Sequence, residues 1–160
     1  MTIDDSNFEI VFSPKVIEVF ERYKREYQYQ IEAGGILVGK TENKKITIID
    51  MTEPYEEDKR SRYTFKRASK GHQEYMDAIW SNSGETLTYL GEWHTHDQHR
   101  IIPSPADYNN WKRILSRSHN SEALVFVILG RINLSVWLGA GNRIIHVGEV
   151  YCNENAKENS

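Results

Sequence analysis

A chain of 160 residues suits one domain and can bury a core without disulfide or metal staples. Apolar residues make up 39% and charged residues 27%, with a formal net charge of -3, so the basic excess that grips a phosphate backbone is missing and nucleic-acid binding is set aside. The single cysteine, Cys152, cannot pair internally; it fits a reducing, cytoplasmic setting and excludes both a four-cysteine zinc knuckle and the Cys-x-x-Cys zinc site of a cytidine deaminase.

In chain order, Met1–Phe8 is acidic and polar, without the basic start and apolar run of a signal peptide. Phe8–Phe12 reads as a short strand. Ser13-Pro14 then has the form of an N-cap followed by proline at the first helical position. Val16, Ile17, Phe20, Tyr23 and Tyr27 follow at three- and four-residue spacing, which predicts a helix ending before Gly34-Gly35. Gly35–Lys40 and Lys45–Met51 read as a hairpin turned at Glu42-Asn43-Lys44. Thr52–Arg62 is charged, contains Pro54 and reads as a loop, and the wider Thr52–Lys70 segment is expected to face a substrate. A helix is predicted over Ser69–Ser81, broken by Asn82-Ser83-Gly84.

Thr86–His94 is the next expected strand and Ser104–Ser118 the next helix. Glu122–Leu129, Asn133–Leu138 and Arg143–Tyr151 read as three further strands, and residues 153–160 as a polar, flexible tail after a domain of residues 1–152. The longest apolar stretch, Ala123–Leu129, is too short to span a bilayer, so no membrane association is expected. This order predicts a single-domain α/β sandwich with a mixed, largely antiparallel sheet flanked by helices. No glycine-rich phosphate loop is present.

The chemistry is concentrated between Gly91 and Asp107. His94 and His96 stand two apart at a strand end, so both imidazoles share one sheet face. Asp107 falls in the first turn of the next helix, and the intervening loop can bring it over the strand end. Two histidines, a carboxylate and an open position describe a hydrolytic zinc site. Each piece has a plainer reading: His-x-His is often a surface feature, and Ser104-Pro105-Ala106-Asp107 fits a helix capping box. The combination within a dozen residues is what points to a metal. His99 competes as a third ligand, whereas His72, His119 and His146 stand alone and read as surface or structural residues. Glu32, expected at the end of the first helix beside Gly34-Gly35, is the candidate proton acceptor, with Glu92 as a rival.

Glu32, His94-Thr95-His96, Ser104 and Asp107, at this spacing, resemble the JAMM motif of the MPN (JAB1/MPN/Mov34) metalloproteases, whose fold is a cytidine-deaminase-like α/β sandwich. The stretches Tyr89–His96 and Pro103–Asp107 are closest to the small bacterial JAB proteins of cGAS-like (CBASS) antiphage operons. The resemblance implies Zn²⁺ bound by His94, His96 and Asp107, with Glu32 moving protons and Ser104 donating to an oxyanion. It also implies isopeptidase cleavage of the bond joining the C-terminus of a cGAS-like nucleotidyltransferase, or of a ubiquitin-like protein, to its targets, in functional linkage with an operon-encoded E1/E2-like conjugation enzyme. Asp97 departs from the family pattern, where many members have proline. From another class, a catalytically silent MPN-type scaffold that binds protein partners is the alternative, but such scaffolds usually lack the ligand set. A non-haem iron site also uses two histidines and a carboxylate, so the residues alone do not name the metal.

Overall fold

The computed structural model describes residues 2–5, 7–26, 31–118 and 123–151. Expectations for Tyr27, His119, Glu122, Cys152 and the 153–160 tail lie outside them.

Eight strands form one sheet: β1 (Thr2–Asp5), β2 (Phe8–Phe12), β3 (Gly34–Glu42), β4 (Lys45–Met51), β7 (Thr88–Thr95), β8 (Leu124–Leu129), β9 (Asn133–Ala140) and β10 (Arg143–Tyr151). Their order is β1-β2-β4-β3-β7-β8-β9-β10. The β2/β4 and β7/β8 pairs are parallel and the other five antiparallel, which is the mixed, largely antiparallel sheet expected. The sheet curls until β1 approaches β10. Two short strands, β5 (Lys59–Arg60) and β6 (Phe65–Lys66), make a separate hairpin that begins inside the Thr52–Arg62 segment read as loop and ends beyond it. That reading is corrected: charge and Pro54 hid a two-residue pairing too short to carry any periodicity. The acidic start of the chain likewise contains β1, whose Ile3 alone gives no apolar alternation.

Three helices pack on the sheet: α1 (Pro14–Glu26), α2 (Ser69–Asn82) and α3 (Pro105–Arg117). The Ser13 hydroxyl caps α1 by accepting the Val16 N–H at 3.4 Å, as Ser-Pro at a helix start favours. Val16 and Phe20 bury the face of α1 that packs with Ile46, Ile48 and Trp93. On the opposite sheet face, Trp111 and Leu115 of α3 meet Leu124, Phe126, Ile128 and Trp137. Met76 of α2 meets Ile36 and Val38. Strand β8 therefore alternates between two cores, Val125, Val127 and Leu129 toward α1 and Leu124, Phe126 and Ile128 toward α3. This is why it reads as an unbroken apolar run.

One irregularity decides which way the end of β7 faces. The β3/β7 register shifts between Leu37 and Val38, which pair with Gly91 and Tyr89. Gly91 takes φ +141°, and a Cβ there would lie 1.7 Å from the Val125 carbonyl oxygen, so only glycine fits. Beyond Gly91 the pairing runs regularly through Gly34 opposite His94.

Candidate active site

Alternation beyond Gly91 sends Trp93 into the α1-side core, where its ring meets Phe20 and Tyr23 edge-on, and sends His94 to the opposite face beside Trp111. His96 lies on that same face, and its N–H bonds the Leu129 carbonyl at 2.9 Å. The two Nε2 atoms come within 3.1 Å of each other. Asp107 closes the group, with Oδ1 3.3 Å from His94 Nε2 and Oδ2 3.2 Å from His96 Nε2. The three side chains offer ligand atoms within 4.8 Å of one another and could hold a metal.

Asp107 is held in place by its own helix. Ser104 is the N-cap of α3: its Oγ accepts the Asp107 N–H at 3.0 Å, and Asp107 Oδ2 accepts the Ser104 N–H at 2.8 Å. The capping box and the carboxylate cluster thus coexist in four residues, because an N3 carboxylate has a second oxygen and further lone pairs to offer. Burial opposes the Asp107 charge, but hydrogen bonds from the two imidazoles and the Ser104 N–H hold it well below the usual carboxylate range. The Ser104 hydroxyl accepts from the backbone and still carries its own proton.

Glu32 reaches the site by sheet register. Helix α1 ends at Glu26, and Glu32 lies in an extended segment just before β3, so its expected place at a helix end is corrected. Ala33 continues the β3/β7 pairing, its carbonyl accepting the Thr95 N–H at 2.9 Å and its N–H bonding Thr95 Oγ1 at 2.9 Å. One step further along the same antiparallel ladder, Glu32 lies opposite His96, and opposed residues share a face. Its side chain is 5% exposed. Burial raises its pKa to about 7, with His96 opposing the rise and Asp107 adding to it. Burial pulls the His96 pKa down, but bonding to Asp107 and the charges of Asp107 and Glu32 leave it raised.

Both backbone groups of Glu32 are held by the β5–β6 hairpin. Its N–H donates to the Ser61 carbonyl at 2.7 Å, and its carbonyl accepts from Arg60 Nε at 2.8 Å. The hairpin is anchored at its base by a buried chain: Asp58 Oδ2 to His72 Nε2, 2.8 Å, then His72 Nδ1 to Thr52 Oγ1, 2.6 Å, which in turn accepts the Ile36 N–H at 2.8 Å. His72 is thus a satisfied structural histidine, as expected. So is His146, which meets Ser135 Oγ at 2.9 Å. His99 stands beside Arg131 at 3.5 Å and apart from the cluster. Glu92 accepts two bonds from Arg67, at 3.0 and 2.7 Å, and one from the Tyr89 hydroxyl, so the rival base is committed to an ion pair. Asp97 ties Arg131 of the β8–β9 turn to the hairpin tip, where Arg62 lies 3.8 Å away.

A cavity of about 640 Å³ opens over these groups, lined by Glu32, His94, His96, Ser104 and Asp107 and walled by Arg62–Arg67 of the hairpin and by α3. A family model for prokaryotic homologues of the JAB domain matches residues 15–143. The chain belongs to this JAB-domain family. Among its relatives, a Pseudomonas aeruginosa protein named CD-NTase/cGAS isopeptidase is 34% identical over 87% of this chain and 88% of its own length. A Vibrio cholerae protein of the same name is 30% identical over 88% of this chain and 86% of its own. A solution structure from Desulfitobacterium hafniense shares the fold at a TM-score of 0.61, with 17% identity, covering 86% of this chain and 88% of the other.

In this JAB-domain chain, His94, His96 and Asp107 converge as their spacing suggested, with Ser104 and Glu32 in the same cavity. Arg60 and Ser61 went unnoticed because they act through backbone groups, which no motif records. Asp58 was equally hidden: its link to His72 crosses fourteen positions and a turn. Among the described residues no helix is long and apolar enough to cross a membrane.

Proposed function

We propose that this chain is a zinc-dependent isopeptidase that hydrolyses the amide joining the C-terminal carboxyl of a conjugated protein to a lysine amine on its target. The observation that carries the reading is Glu32, a buried carboxyl raised to about 7, facing a His-His-Asp cluster in an open cavity. The donor set fits the metal: two imidazole nitrogens 3.1 Å apart, each within 3.3 Å of an Asp107 oxygen, converge on one point where a divalent cation would take both lone pairs and balance the carboxylate charge. The relatives' name supports a cGAS-like CD-NTase as the conjugated protein. A conjugation system of E1/E2-like type would make the bond that this enzyme removes, in bacterial antiphage defence.

A zinc ion held by His94, His96 and Asp107 would polarise the scissile carbonyl and bring the pKa of water to about 7. Glu32 takes a proton as the water oxygen bonds to the carbonyl carbon. The Ser104 hydroxyl donates to the carbonyl oxygen as negative charge develops there. The carbon–nitrogen bond then breaks with its electron pair left on nitrogen, and Glu32 returns the proton to that nitrogen. A free tail carboxylate and a lysine amine are released. A carboxyl titrating near neutrality suits both halves of this exchange. A silent scaffold would have no use for a buried, perturbed carboxyl beside three converging ligands.

The test is cleavage of a protein conjugate carrying a CD-NTase tail. Chelator should stop it and added zinc restore it, and Glu32→Ala and His96→Ala should be folded but inactive. Full activity in either variant, or in chelator, contradicts the reading.

A further inference from the structure

The cavity extends well past the proposed reacting groups. Its α3 wall runs from Ser104 and Asp107 through Asn110, Arg113 and Ile114 to Arg117, and its other wall is the hairpin from Arg62 to Arg67. Ten residues of helix separate Asp107 from Arg117, about 15 Å at 1.5 Å per residue. That length takes roughly four or five residues of extended chain at about 3.3 Å each. An isopeptide substrate presents a single extended polypeptide only on its acyl side, since the amine side is one lysine side chain on a folded surface.

The charges lining this extension are unbalanced. Both lining carboxylates beyond the proposed reacting groups are engaged, Glu92 by Arg67 and Tyr89, and Asp97 by Arg131 with Arg62 beside it. Lys66, Arg113 and Arg117 also line the cavity, are exposed, and have no carboxylate within 4.0 Å among the described residues. Among the described residues Arg113 donates only to Asn110, at 2.6 Å. The helix C-terminal dipole accounts for Arg117 but not for Arg113 or Lys66.

We propose that the groove between α3 and the hairpin is a subsite for an acidic tail, with Arg113 and Arg117 of α3 and Lys66 of the hairpin reading carboxylates three to five residues before the scissile amide. The inference rests on the isopeptidase reading for the direction of the chain, and it adds a discrimination: tails with basic residues at those positions are disfavoured.

Two fluorescent ten-residue peptides, identical except for Asp/Glu or Lys at the third to fifth positions before the C-terminal carboxyl, test it by anisotropy on the wild-type protein. The acidic peptide should bind about fivefold or more tighter, an advantage that shrinks as salt is raised from 50 to 300 mM. In Arg113→Glu/Arg117→Glu the preference should reverse, and in Arg113→Gln/Arg117→Gln it should disappear without reversing. Equal affinity for the two peptides, no binding of either, or an equal effect of the substitutions on both overturns the proposal. A parallel cleavage assay on fusions carrying the same tails keeps the two readings apart. Charge-selective binding without cleavage removes the isopeptidase reading alone, whereas cleavage of both tails with equal kcat/KM removes the subsite alone.

Discussion

Glu32 is held at three points: Arg60 and Ser61 grip its backbone from the hairpin, and Ala33 ties the next residue to Thr95. Its carboxyl is raised to about 7 by burial, against the opposing pull of His96. Glu32→Gln keeps the shape and removes the proton exchange, so cleavage should fall by about 10²- to 10⁴-fold while the melting temperature holds or rises; steady-state rates and a thermal melt check both. Arg60→Ala leaves the carboxyl in place but releases one of its backbone anchors. We expect kcat to drop about tenfold with KM little changed, and Arg60→Lys to recover part of the loss, since an ammonium can still donate to the Glu32 carbonyl. A change confined to thermal stability would show that Arg60 only braces the hairpin.

At the scale of elements, the hairpin matters more than its two-residue strands suggest. It walls the cavity, holds Glu32 and is rooted in the Asp58–His72–Thr52 chain. Deleting Glu56–Arg60 would remove Asp58 and Arg60 together, so substitution of Tyr63, 75% exposed at the tip, probes substrate contact more cleanly. Burial would raise the Asp58 carboxyl, but the Tyr55 N–H, the His72 ring and the Ala68 N–H outweigh it and leave it lowered. A carboxyl lowered on folding stabilises the fold above its unfolded value, about 3.9, and that stability is lost as pH falls through the folded value. Denaturant midpoints should therefore decline below about pH 4 in the wild type and less steeply in Asp58→Asn, which at pH 7 should cost roughly 3 kcal/mol. Legibility at this scale followed periodicity. The strands over Phe8–Phe12, Lys45–Met51 and Arg143–Tyr151 appear with their expected bounds, and the Ser104–Asp107 box was readable because a cap is local. The hairpin and β1 were not, because pairings of two to four residues leave no repeating pattern.

Across the whole molecule, the candidate ligand cluster was legible because His94 lies in β7, His96 just past its end and Asp107 in the next helix, within fourteen positions. Glu32 was legible as a candidate proton acceptor beside Gly34-Gly35, but was expected at a helix end that it does not occupy. Its true position depends on the register Gly34–His94, 60 residues apart, and on the bulge at Gly91 that sets which face the histidines take. Ligand binding to the native state alone stabilises it, by about 2.7 kcal/mol at one hundred times the dissociation constant. Zinc should therefore raise the melting temperature of the wild type and leave Asp107→Ala unmoved. The most direct measurement is the metal content of the purified, dialysed protein by mass spectrometry. One zinc per chain in the wild type and none in His94→Ala/His96→Ala is the predicted result; no zinc in a zinc-loaded wild type, or the same content in both proteins, would contradict it.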